Sequence, residues 1–241
     1  MNNVRKLYAI GDVHGCFDAL MGVMKLIGED KGDDEATIVF LGDYVDRGPD
    51  SQRVVDALIK LQAYSEQPGR KTKYVFLKGN HEEMMLGGIH ADSWYMNGGS
   101  ETMESYEAMG EAGKVTFDAH KQWMNKNLKL YAKIGKYFFV HAGLNPLCQL
   151  EKQDSGDMIW DRTFNSWNGP FSDDVFVIHG HTPVKQVDIH KHQMNIDTGC
   201  VFGQQYSEQY GDLTAVRLPD DPSTKDFKFF TARQYPKPWA R

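Results

Sequence analysis

Three short apolar runs near the start of the chain, Leu7-Tyr8-Ala9-Ile10, Thr37-Ile38-Val39-Phe40-Leu41 and Tyr74-Val75-Phe76-Leu77, are each closed by Gly or Lys-Gly. Continuous apolar runs of this length read as strands buried on both faces, the signature of a parallel sheet. Between them Phe17, Leu20, Met21, Met24 and Ile27 recur at helical spacing, as do Val54, Val55, Leu58 and Leu61 after the cap-like pair Asp50-Ser51. The first third therefore predicts β-α-β-α-β, and right-handed crossovers place both helices on one side of the sheet.

From about residue 82 to residue 130 the pattern is helical and rich in Met, with Gly87-Gly88, Asn97-Gly98-Gly99 and Gly110 as breaks. This stretch reads as a helical insert within a single domain spanning residues 1–241. Beyond Tyr131 strands dominate: Tyr137 to Val140, Val175 to Ile178, Val187 to Ile189, Met194 to Ile196, Leu213 to Leu218 and Phe227 to Phe230. A second, mostly antiparallel sheet is expected from them. The tail carrying Pro236 and Pro238 reads as loosely attached.

Composition narrows the class without naming it. A chain of 241 residues with 41% hydrophobic content is long enough to bury a sizeable core. Its net charge of -6 argues against a nucleic-acid or anionic-membrane partner, both of which favour a basic stripe. Cys16, Cys148 and Cys200 are odd in number and far apart, so they offer no disulfide framework and suit the cytoplasm. The first strand begins too early for a signal peptide to precede it, and the longest apolar runs are far shorter than the roughly 20 residues that span a bilayer.

The candidate chemistry sits where the first three strands end, the place at which open α/β sheets gather ligands. Asp12 and His14 offer one hard oxygen and one imidazole nitrogen to the same point, a pair suited to Mn, Fe or Zn. The same spacing also occurs where Asp merely caps a helix, here one starting near Cys16. Asp43 closes the second strand and could bridge two cations, with Asn80 reaching the second from the third strand end. Later in the chain His141, His179 and His181 close further strands. Residues two apart in an extended segment face the same way, so spacing alone cannot separate His179 from His181.

The motifs Gly11-Asp12-Val13-His14-Gly15, Gly42-Asp43-Tyr44-Val45-Asp46-Arg47-Gly48, Gly79-Asn80-His81-Glu82, His141-Ala142-Gly143 and Gly180-His181-Thr182-Pro183 occur in that order. Together they resemble the metal-dependent phosphoprotein phosphatases of the calcineurin-like metallophosphoesterase superfamily, in their compact bacterial serine/threonine type. The resemblance covers Gly11 to Pro183, with weaker likeness through Ile196-Asp197-Thr198-Gly199. It implies an α/β (α+β) fold in four layers, a two-sheet sandwich flanked by helices (αββα). It also implies that Asp12, His14 and the bridging Asp43 hold one divalent metal, while Asp43, Asn80, His141 and His181 hold the other, manganese first and Fe or Zn next.

The expected reaction is dinuclear-metal phosphomonoester hydrolysis by direct attack of a bridging hydroxide. The resemblance gives His81, oriented by Asp46, the role of proton donor to the leaving group. Arg47, Arg162 and Asn80 are expected on the phosphate, Arg162 having the alternative of a surface pair with Asp161. The expected substrate is a phosphoprotein or phosphopeptide carrying phosphoserine or phosphothreonine, with phosphotyrosine and small esters as extensions. Symmetrical hydrolysis of dinucleoside tetraphosphates is the alternative, and Asp46 is read against it because relatives of that kind carry Ala there. A non-catalytic binding module is the third reading, disfavoured because no expected ligand is missing.

Other mechanisms fail on the residues. A cysteine phosphatase needs Arg six residues after Cys, where this chain has Gly22, Asp154 and Tyr206. His81-Glu82-Glu83-Met84-Met85 lacks the second His of a zinc-protease helix. Cys16 is read either as a buried thiol or as a redox-sensitive neighbour of the His14 turn. Trp94 with Asn97-Gly98-Gly99 resembles an element recurrent in the bacterial phosphatases, and the resemblance implies that it shapes the substrate mouth. His90, His120, His190 and His192 have no matching partners and are read as solvated or structural.

Overall fold

The first two crossovers form as the apolar pattern requires: β1 (Lys6–Ile10), α1 (Phe17–Lys31), β2 (Ala36–Phe40), α2 (Ser51–Ser65) and β3 (Thr72–Phe76). In this computed structural model, residues 5–88, 90–169, 175–203 and 209–234 are described. The tail with Pro236 and Pro238 lies outside them. The three strands are parallel and in step, Ile10 beside Phe40 and Phe40 beside Phe76. Level strand ends are what bring Asp12, Asp43 and Asn80 to one edge of the sheet.

Strand alternation divides the core. Tyr8, Ile10, Ile38 and Phe40 face α1 and α2, where Leu20, Val23, Ile27, Val54, Val55 and Leu58 meet them. Ala9, Val39 and Leu41 face the other way, onto Phe139, Ile178, Met194 and Ile196 of the second sheet. Each fully buried Leu, Ile, Val or Phe contributes about 1.5–3 kcal/mol. Both helices thus lie on one side, because a right-twisted strand feeding a helix returns to its sheet in only one hand.

Between the sheets the chain is helical: α3 (Asn80–Met85), α4 (Gly99–Glu107) and α5 (Glu111–Asn127), interrupted at the expected glycines. The second half adds β4 (Tyr131–Ile134), β5 (Tyr137–Val140), α6 (Ser155–Trp160), β6 (Phe176–His179), β7 (Asp188–Ile189), β8 (Gln193–Asn195), β9 (Asp212–Leu218) and β10 (Lys228–Arg233). The second sheet runs β4-β5-β6-β8-β7. Its outer face, with Phe138, Val140 and Val177, packs on Met158, Ile159 and Phe164 in and near α6. The result is the expected αββα sandwich.

Two details differ from the sequence reading. The core of the second sheet is parallel, β5 with β6 and β6 with β8; only its edge pairs are antiparallel. Phe138-Phe139-Val140 and Phe176-Val177-Ile178 are themselves continuous apolar runs, and the α6 crossover between them permits the parallel pairing. The last two strands leave that sheet: β9 pairs with β1 and β10 with β9, both antiparallel, extending the first sheet. Hydrophobic pattern sets which faces are buried, not which strand a neighbour will be.

Candidate functional site

Six described non-glycine residues have φ in the left-handed region, and five of them are His14 (44°), Asp43 (51°), Asp46 (74°), Arg47 (67°) and His181 (67°). Each such conformation costs on the order of 1–3 kcal/mol and persists only when its surroundings enforce it. The enforcement is visible. Val13 N–H and His14 N–H both donate to the Asp43 carbonyl, at 3.0 and 2.8 Å, and Gly15 N–H donates to the Tyr44 carbonyl at 2.8 Å. The first and second strand-end turns are therefore sewn together. Gly79 and Gly180 allow the remaining approaches, since a Cβ would stand 2.1 Å from Asp43 Oδ1 at one and 2.2 Å from Asp12 Oδ1 at the other.

A residue to which sequence reasoning assigned no role shapes the Asp43 turn. Glu82 is fully buried, and its carboxylate accepts the backbone N–H groups of Asp43 (2.8 Å), Tyr44 (2.7 Å), Val45 (3.3 Å) and Gly79 (3.0 Å). Burial pushes this acid up to about 7, as does the charge of Asp43, while the N–H donors act in the opposite sense. Its signal was the acidic residue three positions after the glycine that opens α3, the place from which a side chain returns to the helix start.

Asp12, His14, Asp43, Asn80, His141 and His181 are brought together, all buried. Ligand atoms of His14, Asp43 and His81 lie within 4.8 Å of one another, and so do those of Asp43, His141 and His181. Asp43 is shared between the clusters. His14 bonds through Nδ1 to the Val45 carbonyl (2.9 Å) and His141 through Nδ1 to the Leu41 carbonyl (2.9 Å), which turns each Nε2 inward. Asn80 Oδ1 lies 3.1 Å from His141 Nε2 and 3.0 Å from His181 Nδ1. Burial works against charge on His141, but the carboxylates of Asp43, Asp12 and Glu82 hold it up to about 10. Burial, reinforced by the charge of His141, takes His181 down to about 3 and keeps it a neutral lone-pair donor.

Asp12 does not cap α1. Its Oδ2 accepts the His181 N–H at 3.0 Å, and the helix begins after Cys16 without a side-chain cap. Among the described residues, Asp12 Oδ1 and His181 Nε2 are buried with no hydrogen-bond partner. Such lone pairs are costly to bury unsatisfied, and beside a carboxylate shared by two donor clusters they fit divalent cations. Asp197 sits close by, buried; a Cβ on Gly180 would touch it as well as Asp12.

His179 faces elsewhere. Its Nε2 lies 2.5 Å from Gln193 Oε1 and its ring packs on Phe164, with burial taking it down to about 4. The ambiguity between the two histidines disappears because β6 ends at His179 and His181 has positive φ, so strand alternation no longer governs it.

Around the metal-type donors stand the candidate substrate groups. His81 Nδ1 is 2.6 Å from Asp46 Oδ2, and its Nε2 is 4.0 Å from Asp43 Oδ2. Burial pushes the Asp46 carboxyl upward, opposed by its hydrogen bonds from His81, Thr102 and Trp94. Arg47 donates to His14 Nε2 at 2.8 Å and stands over the Phe202 ring. Arg162 is exposed, near enough for its charge to act on His181. The alternative partner considered for it, Asp161, instead accepts from the backbone and hydroxyl of Thr163. Trp94 does not line a mouth: it is buried with its indole N–H turned to Asp46. His120 bonds to Tyr106 and Asp56, and His190 to Asp188 and Asn168, away from these groups.

Among curated proteins the chain is 30% identical to a bis(5'-nucleosyl)-tetraphosphatase PrpE, asymmetrical, from Anoxybacillus flavithermus, covering 88% of this chain and 89% of that one. It is 29% identical to the protein of the same name from a Geobacillus strain, covering 89% and 91%. A protein serine/threonine phosphatase from Saccharomyces cerevisiae superposes with a TM-score of 0.64 at 18% identity, over 99% of this chain and 82% of that one, a likeness of fold alone.

These relatives overturn the expectation of a serine/threonine phosphomonoesterase with a phosphoprotein or phosphopeptide partner. They favour the alternative in part: dinucleoside tetraphosphates stand in their name, but with asymmetrical where the alternative had symmetrical cleavage. The error lay in Asp46. Fully buried and spent on His81, Trp94 and Thr102, it reports how an imidazole is held and carries no information about a protein or nucleotide lying outside. A description of the calcineurin-like phosphoesterases matches residues 5–220. With nine-tenths of the chain matched and the paired donor clusters at its strand ends, this chain belongs to the calcineurin-like phosphoesterase family.

Proposed function

We propose that this chain hydrolyses bis(5'-nucleosyl) tetraphosphates asymmetrically, releasing a nucleoside triphosphate and a nucleoside monophosphate. The observation that carries this reading is the near full-length similarity to relatives of that name. Membership of the calcineurin-like family makes the chain a metal-dependent hydrolase. Asp12, His14, Asp43, Asn80, His141 and His181 would hold two divalent ions, with Asp43 between them. A mixed carboxylate, amide and imidazole set suits manganese, and accommodates Fe or Zn. When bound, such a pair activates water and neutralises the phosphoryl oxygens.

The remaining steps belong to side chains. Arg47 and Arg162 bind phosphate oxygens; the Arg47 guanidinium stands over the Phe202 ring, and the donor it gives to His14 Nε2 here would be freed for phosphate once that lone pair held an ion. Asn80 orients a phosphoryl oxygen through its amide. His81, fixed through Nδ1 by Asp46, turns Nε2 toward the Asp43 side and donates a proton to the departing phosphate oxygen. No helix among the described residues is long and apolar enough to cross a membrane. The free thiols of Cys16, Cys148 and Cys200 suit a reducing compartment, and we place the enzyme in the cytoplasm.

Chromatography of the products from diadenosine tetraphosphate tests the proposal, using manganese-loaded protein. ATP and AMP in equal amounts are expected. Two ADP molecules would overturn the asymmetrical reading, and an intact dinucleotide beside a readily hydrolysed phosphopeptide would overturn the substrate class.

A further inference from the structure

Among the described residues, the Asp46 carboxylate has two hydrogen-bond partners besides His81. Trp94 Nε1–H lies 2.9 Å from both of its oxygens. The Thr102 hydroxyl donates to Oδ1 at 2.8 Å and accepts the N–H of Asp46 itself at 2.8 Å. With Oδ1 taken by Thr102, Oδ2 is left facing His81 Nδ1. A carboxylate bonded at one point can swing about its Cβ–Cγ bond, whereas one bonded from three directions presents a single oxygen along a single line.

Both added donors come from the stretch between β3 and β4, and the same stretch grips the next residue. Gly98 carbonyl accepts the Arg47 N–H at 3.1 Å, and a Cβ on Gly98 would stand 2.5 Å from that nitrogen. Asp46 and Arg47 both have positive φ, so a costly backbone conformation is secured from outside the turn that carries it. Trp94 is 7% exposed and Thr102 fully buried. Space-filling alone would be served by apolar groups; here an N–H and an O–H converge on one carboxylate.

We infer that Trp94 and Thr102 are positioning residues for the reaction, holding the Asp46 carboxylate so that His81 presents its Nε2 to the leaving oxygen. This rests on the role proposed above for His81. Neither residue touches the substrate; each acts through Asp46.

The test compares Trp94→Phe, Thr102→Val, Thr102→Ser and His81→Asn with the parent protein. Steady-state kinetics on diadenosine tetraphosphate, bound metal and thermal midpoint are measured for each. The downfield proton resonance of the His81 Nδ1–H bonded to Asp46 supplies a readout independent of turnover. Trp94→Phe and Thr102→Val are expected to lower kcat by about tenfold or more, as small misplacements of reacting groups do. KM and metal content stay unchanged, and the resonance shifts or broadens. Thr102→Ser, which keeps the hydroxyl, restores both kcat and the resonance.

Folded Trp94→Phe and Thr102→Val proteins with parental kcat and an unmoved resonance would overturn the inference. So would losses accompanied by released metal and a raised KM, the mark of residues that only hold the fold. If His81→Asn is damaged and the other two are not, the inference falls alone. If His81→Asn keeps full kcat, the proton-donor role falls and takes the inference with it. Should the parent leave the dinucleotide intact, the substrate reading falls and the resonance decides the positioning.

Discussion

Replacing Glu82 by Gln removes one oxygen from a carboxylate that receives four backbone N–H groups, two on each oxygen. The amide NH₂ must face one of those pairs, Asp43 with Gly79 or Tyr44 with Val45, donor against donor. Each buried donor left without an acceptor costs about 1–3 kcal/mol, giving about 2–6 kcal/mol for the pair. Part of this is offset, because an amide has no charge to desolvate, and burial already pushes the acid up to about 7. A net loss of about 2 kcal/mol is expected, which for a chain of this size lowers Tm by about 4–8 °C. The Asp43 turn, strained at φ 51°, relaxes with it, and bound metal falls. Denaturant titration and metal analysis of Glu82→Gln measure both effects. A change in unfolding free energy below about 0.5 kcal/mol with full metal content would refute the claim that this carboxylate shapes the turn.

Two further predictions separate structural from functional groups. His181→Ala should lose bound metal with little change in stability. His179→Ala should keep its metal and lose about 1–3 kcal/mol, through the missing contact with Phe164 and the unpaired Gln193; metal content and urea midpoints on the two variants decide, and the reverse pattern would exchange their roles. Asp30 accepts from Tyr8 (2.7 Å), Arg217 (3.1 Å) and Lys228 (2.5 Å). Burial pushes its carboxyl up, but the bonds from Lys228 and Tyr8 and the charge of Arg217 outweigh this and hold it below the ordinary value. An acid with a depressed folded-state pKa stabilises the fold above its unfolded pKa, near about 4, and loses that contribution as pH falls. Asp30→Asn should therefore cost about 1–2 kcal/mol at pH 7, with the gap from the parent closing below about pH 4 in chemical denaturation. A gap independent of pH would show that charge plays no part.

Local pattern was enough for the three parallel strands of the first sheet and for the edge where chemistry gathers. The runs ending at Ile10, Leu41 and Leu77 became parallel strands in step, because continuous apolar segments closed by glycine have few other stable fates. That registration is why Asp12, Asp43 and Asn80 meet. The second half was less legible. Phe138-Phe139-Val140 announced a buried strand, yet whether it paired parallel or antiparallel depended on a crossover some thirty-five residues long, which alternation cannot see.

What the sequence determined by itself was an inventory of residue types in order: carboxylates, imidazoles, an amide and guanidiniums at strand ends, with the family they resemble. Tertiary structure decided their directions. Although Asp and His adopt positive φ more readily than most residues, at His14, Asp43, Asp46, Arg47 and His181 it is imposed by contacts with distant segments. The same holds for Glu82 under the Asp43 turn, for Trp94 turned inward, and for His181 facing the donors while His179 faces the core. The proposed substrate followed from neither, because Asp46 is buried behind His81; that proposal rests on the names of the relatives. Side-chain identity is local chemistry, but the line along which a lone pair points is set by the backbone, and the backbone here is held by parts of the chain far away.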